Sequence, residues 1–272
     1  MKTAFVLGGG GNLGAVQVGM LRALVEVDVV PDLILGCSVG ALNGAAFAAE
    51  PDGVGVSRLE DLWRGVDGKD DILPASLLPS AVGLARKGES IHGNESLRRL
   101  CESVLSAANI EDLAVPFQCV ATAIDEAREV WFDHGPLVDR ILASAAIPAV
   151  FPAVVLDGVK YLDGAIVNDI PISRAVELGA DRIYVLHVGA FDRPRQEPRR
   201  PLDVAVQAYW VARRNRFQRD LASVPPGIDT FVLPTGAPPR VNFNDFTKTD
   251  EMMGNAYRAS VTALDHREER RA

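Results

Sequence analysis

The opening of this chain constrains its fold more than any later stretch. The apolar run Ala4–Leu7 passes into four consecutive glycines, Gly8–Gly11, then Asn12, Leu13 and a fifth glycine, Gly14. The run has the length of a short buried strand. The residues from Gly14 to about Val27 are apolar almost all round, the pattern of a buried helix. The next run, PDLILG at 31–36, reads as a second strand, and VGALNGAAFAA at 39–49 as a second helix rich in small residues. A chain that starts strand, glycine turn, helix, strand, tight turn, helix is built for a parallel sheet with crossover helices.

The glycine turn has two readings. Gly9, Gly11 and Gly14 satisfy the dinucleotide spacing G-x-G-x-x-G. Backbone N–H groups converging at a helix start accept any anion, a pyrophosphate or a transient oxyanion alike. A dinucleotide site also needs an acidic side chain at the end of the second strand. That strand ends in Gly36-Cys37-Ser38-Val39-Gly40, with Asp32 before it and Glu26 and Asp28 earlier still. A P-loop is excluded because no Gly-Lys-Ser/Thr follows. Instead, G-x-S-x-G has the spacing of a nucleophile elbow, in which Ser38 stands on a sharp strand-to-helix turn and Gly36 and Gly40 remove clashes. Adjacent parallel strands bring both turns to one sheet edge. The glycine loop then offers backbone donors beside Ser38, each worth about 3–4 kcal/mol to an oxyanion. Cys37 is a rival nucleophile, but an elbow points its central residue outward, which favours Ser38.

The rest of the chain continues the α/β pattern. Residues 51–95 look irregular, with ILPASLLPSAVGLARKG at 72–88 a loop or broken helix; its stretch 72–85 is either an apolar cover over a cleft or ordinary packing. A helix is expected over 94–108 with Asn94 as N-cap, and strands at FQCVATAID and EVWFD. A helix follows from Leu137 to Pro148, then a hairpin turning at Asp157-Gly158, the helix PISRAVELG and the strand RIYVLHVG. RPRQEPRRP reads as a surface loop, followed by a helix over about 201–222, the strand GIDTFVLPT and a final helix beginning at Asp250. No long linker interrupts the 272 residues, so one domain is expected, with its motif-bearing core at about 3–190 and residues 191–272 packed on it.

A net charge of −8 argues against general nucleic-acid binding. Three scattered cysteines, no H-x-x-x-H pair and no C-x-x-C predict a reduced, cytoplasmic protein without disulfides or a metal centre. The first apolar run breaks at Gly8, too early for a signal peptide, and no run reaches the ~18 apolar residues of a membrane span. Eight arginines between Arg193 and Arg219 form either a solvated face or a contact for anionic head groups at a membrane surface.

An activated serine needs a base. His187, at a strand end, follows Ser38 and Asp163 in the chain order of α/β-hydrolases, but there the elbow comes after several strands rather than on the second. The other histidines lie in a polar loop (His92), a turn (His134) and a charged tail (His266). Asp163, in YLDGAIVNDIP, is a weak base in water and a better one if a partly apolar cleft desolvates it.

Taken together and in order, the glycine loop, G-x-S-x-G and Asp163-Gly164-Ala165 resemble the patatin-like phospholipase family, and the likeness extends over about residues 3–190. The resemblance implies a three-layer α/β/α fold with a mainly parallel central sheet. It implies Ser38 as nucleophile and Asp163 as its base, an oxyanion hole from the backbone of Gly9, Gly10 and Gly11, and hydrolysis of lipid acyl esters without a metal or other cofactor. The substrate class it implies is phospholipid or lysophospholipid, with general esters, acyl transfer or a non-catalytic lipid-binding role as alternatives. Leu13 departs from the family, which has Arg or Lys before the last glycine of the loop; Ala165 is a variant the family also uses.

Overall fold

The computed structural model describes residues 1–66, 93–189, 201–237, 239 and 245–270. The strands are β1 Thr3–Leu7, β2 Leu33–Cys37, β3 Phe117–Ala123, β4 Arg128–Phe132, β5 Val154–Leu156, β6 Val159–Asp163, β7 Arg182–Leu186 and β8 Asp229–Val232. The α-helices are α1 Ala15–Glu26, α2 Val39–Ala49, α3 Gly53–Gly65, α4 Glu95–Val104, α5 Leu137–Ser144, α6 Ile172–Glu177, α7 Pro201–Ala222 and α8 Thr249–Glu269. The stretch 72–85, His92 and the loop before Pro201 lie outside the described residues.

All strands join one sheet. β8, β7, β1, β2 and β3 run parallel in that spatial order. β3 then pairs antiparallel with both β4 and β6, and β5 closes a hairpin on β6 through Asp157 (φ 52°) and Gly158 (φ 82°). β1 is buried along its whole length, as a central parallel strand must be. Its side chains alternate between two apolar layers. Phe5 and Leu7 join the larger core beneath α1, α2, α5 and α8, where Phe5 stacks on Phe47 and meets Tyr184 edge-on. Ala4 and Val6 face the smaller core under α6 and α7. The result is a three-layer α/β/α arrangement with a mixed sheet at its centre. Among the described residues no helix is long and apolar enough to cross a membrane.

Three local expectations change. The stretch after Pro51 contains α3, whose first turn is held by Asp52 accepting from the N–H groups of Val54 and Gly55. Its glycines obscure the helix pattern, but Val56, Leu59 and Trp63 fall on one buried stripe. α4 stops at Val104, and Asn94 makes no side-chain capping bond. α5 stops at Ser144, four residues before Pro148, and Ala145–Phe151 turn instead.

A buried polar network ties the glycine loop to the helices behind it. Gln17 of α1 donates to the carbonyls of Gly8 (2.7 Å) and Leu186 (3.0 Å). Asn43 of α2 donates to Gln17 Oε1 (2.9 Å) and to the Gly14 carbonyl (3.0 Å). Trp63 Nε1 of α3 completes the chain by donating to Asn43 Oδ1 (2.9 Å). Every member is satisfied, so the network orients the loop at little cost. Replacing Asn43 with Leu strands the indole N–H and the Gln17 oxygen. Urea unfolding should then show a loss of about 3 kcal/mol, whereas a change under ~0.5 kcal/mol would mean the network does not hold the loop.

Candidate active site

β2 ends at Cys37 and α2 begins at Val39, leaving Ser38 to make the whole turn. Its backbone sits at φ 54°, ψ −124°, a conformation costing an L-residue about 1–3 kcal/mol and found where the surroundings enforce it. The enforcement is close packing. A Cβ on Gly40 would lie 2.3 Å from the Leu7 carbonyl oxygen, and one on Gly36 would lie 2.6 Å from Ala41 Cα. The turn is also pinned from the side, because the Ser38 N–H donates to Ser144 Oγ (3.0 Å) at the end of α5. Ser144 is fully buried and gives no sequence signal, since it reads as one more small residue of an apolar helix.

The sheet register brings Asp163 to the same point. β4 occupies one edge of β3 along Cys119–Ala123. The other edge is shared end to end: β2 pairs with it up to Cys37↔Val120, and β6 takes over at Ala121↔Asp163. The last residue of β6 therefore meets β2 where the elbow turns away. Asp163 is held by its N–H to the Ala146 carbonyl (2.9 Å), by its own carbonyl accepting from Thr122 Oγ1 (2.8 Å), and by Oδ1 accepting from the Ala165 N–H (2.8 Å). Burial drives its pKa up to about 6, against the opposing pull of a hydrogen bond with the Ser38 side chain, the Ala165 N–H and the positive charge of Arg213.

The glycine loop lies against this pair. Gly8 N–H donates to the Leu186 carbonyl. Gly9 departs from its expected role: its N–H donates to the Asp169 carbonyl (3.2 Å), so it secures the loop rather than facing a substrate. A Cβ on Gly9 would stand 3.3 Å from Ser38 Cβ, which measures how tightly loop and elbow pack. Among the described residues, the Gly10 and Gly11 N–H groups meet no acceptor, and both glycines are half-buried. Leu13, where the family carries a cation, packs on the apolar core.

Ser38 and Gly11 line an apolar cleft whose walls also include Leu42, Leu62, Trp63, Leu97, Ile141 and Phe246. Trp63 and Phe246 stack at 6.2 Å, and Asn12 ties the segment before Phe246 to the loop through the Asp245 carbonyl (2.8 Å). A cleft of this lining accepts an alkyl chain with its polar end at Ser38.

Neither rival group lines the cleft. His187 lies at the end of β7, two strands from β2 and so roughly 10 Å away, with Nδ1 accepting from the Gly189 N–H and its ring against Phe217. Cys37 is fully buried among Val120 and Ala165, and burial pushes its thiol pKa well up. Among the described residues no three His, Cys, Asp or Glu side chains cluster as a metal site. Of the arginines expected to form a solvated face or a head-group contact, Arg213 and Arg216 are partly buried in ion pairs. Arg213 pairs with Asp169 (2.6 Å), and Arg216 reaches Asp220 (2.7 Å) and the Val167 carbonyl (3.2 Å).

The model of one protein family, described as patatin-like phospholipase, matches residues 5–176. Lysophospholipase nte1 of Aspergillus terreus is 30% identical over 191 residues, which is 70% of this chain and 12% of that protein. A putative patatin-like phospholipase domain-containing protein of Caenorhabditis elegans is 32% identical over 189 residues, 69% of this chain and 17% of that protein. The chain thus spans under a fifth of the length of these relatives. Among solved structures, VipD from Legionella pneumophila superposes with a TM-score of 0.57 at 15% identity, covering 97% of this chain and 67% of VipD, a likeness of fold.

Burial of Cys37, Cys101 and Cys119 has a direct chemical readout. The native protein should titrate less than one thiol per chain with a soluble disulfide reagent, and all 3 after unfolding. Rapid modification of Cys37 in the native state would reopen it as a nucleophile.

Proposed function

As the chain belongs to the patatin-like phospholipase family, we propose that it is a serine acyl hydrolase acting on lipid esters, with Ser38 as nucleophile and Asp163 as its base. The observation that carries this reading is the placement of a strained serine in the wall of an apolar cleft, at the strand junction where β6 ends in the buried carboxylate of Asp163.

The reaction follows from that geometry. Asp163 accepts the Ser38 proton as Oγ attacks the acyl carbonyl. The carbonyl oxygen becomes an anion and takes the N–H groups of Gly10 and Gly11, with the N-terminus of α2 beneath it. Asp163 returns the proton to the departing alcohol, leaving the acyl group on Ser38. Water then gives a proton to Asp163 and attacks the ester, the fatty acid leaves, and Ser38 regains its proton. One carboxylate serves both halves because a pKa of about 6 leaves it mostly ionised at neutral pH, yet far more basic than an ordinary aspartate. The apolar cleft supports a long acyl chain, and the relatives' naming as lysophospholipases supports a phospholipid or lysophospholipid substrate.

A fluorophosphonate probe should label the wild type and leave Ser38→Ala unlabelled. Asp163→Asn should lower ester turnover about 10²–10⁴-fold. Labelling independent of Ser38, or full activity in Asp163→Asn, would overturn the proposal. Because Asp163 must be ionised to accept the proton, kcat/KM should rise with pH through a midpoint near 6. A midpoint near 4 would mean the working carboxylate is an exposed one.

A further inference from the structure

The loop that follows Asp163 ends at a second buried carboxylate, Asp169, only 3% exposed. Its carbonyl holds the Gly9 N–H (3.2 Å), and its Oδ1 accepts from Arg213 of α7 (2.6 Å). Its other oxygen, Oδ2, is buried with no hydrogen-bond partner among the described residues. The ionised form of Asp169 therefore depends on Arg213 for its counter-charge. Arg213 lies beyond the region that the family model matches, on a helix that Arg216 clamps over the same loop through the Val167 carbonyl.

From this geometry we infer that Arg213 is a positioning residue for the reaction proposed above, its charge offsetting that of Asp169 beside the dyad so that Asp163 stays ionised and free to act as a base at neutral pH. The inference rests on the Ser38–Asp163 reading and adds a part to it.

In a site this dry, the balance of charges decides which groups hold a proton. The titratable groups around Asp163 come from β2, the loop after β6 and α7. Cys37 of β2 has its Sγ 3.9 Å from Asp163 Oδ1. Asp169 lies on the loop after β6, and α7 contributes Tyr209 and Arg213, the guanidinium standing 5.4 Å from the Tyr209 ring centroid. Among these groups Arg213 is the cation. With it present, two carboxylates share one compensating charge. Without it they repel, and a proton binds to the pair at higher pH. Burial and the Asp169 charge push Asp163 up, and Arg213 opposes both. Arg213 thus acts on Asp163 by charge and on Gly9 through the residue it anchors.

The test is the pH profile of fluorophosphonate labelling at Ser38, with ester turnover alongside, in four proteins: wild type, Arg213→Gln, Arg213→Lys, and the double variant Arg213→Gln with Asp169→Asn. In Arg213→Gln the rising limb should move up by about one pH unit or more. Arg213→Lys should retain most of the wild-type position. The double variant removes both charges and should bring the limb back toward the wild type, even if loop placement lowers its plateau. A structural role alone would lower the plateau, or the fraction labelled, at every pH and leave the midpoint where it was. That result, or a double variant as displaced as Arg213→Gln, would overturn the inference while leaving the dyad intact. Labelling that does not need Ser38 would instead remove the reading on which the inference stands.

Discussion

The site depends on how strand β3 divides its edges. One edge belongs to β4. The other is shared end to end, by β2 up to Cys37 and by β6 from Asp163 onward. Two strands cannot overlap on one edge, so β2 has to leave the sheet where β6 arrives. The elbow at Ser38 is the exit of the first strand and Asp163 is the terminus of the second. Their meeting is a consequence of pairing rather than of any local attraction between serine and aspartate.

Around that junction the packing converts position into chemistry. Gly40 and Gly36 allow backbones to touch where a Cβ would collide, and the resulting turn exposes Ser38 to the cleft. The same closeness desolvates Asp163, which raises its affinity for a proton, while the Ser38 hydrogen bond, the Ala165 N–H and Arg213 restrain the rise. A base is useful when these opposed effects leave it near the working pH. The glycine loop completes the arrangement through two anchors. Gln17 and Asn43 hold it from the large-core side, and Asp169 holds Gly9 from the other.

Much of this was legible in the sequence because it rests on local pattern. Buried strands, the strand-turn-helix at GCSVG and the Asp157-Gly158 hairpin each announce themselves within a few residues. What was not legible depends on distant partners. Arg213 and Asp169 are 44 residues apart in the chain. Ser144 and Ser38 are 106 apart, and nothing near either names the other. Gln17 passed as part of an apolar helix, although a lone buried amide in such a helix is a signal that something polar must meet it. Gly9 shows the limit of reading a motif as a unit. Three consecutive glycines offer three donors on paper, and the fold turns one of them inward.

The claim at the centre of this account is that the acyl group passes through Ser38 because Asp163 takes its proton. Rapid-quench kinetics with a chromogenic fatty-acyl ester, followed by peptide mapping of the quenched protein, test it most directly. The expected result is a burst whose acyl mass resides on Ser38, and its loss or strong slowing in Asp163→Asn. An acyl group found on another residue, or a burst of unchanged rate and size in Asp163→Asn, would contradict it.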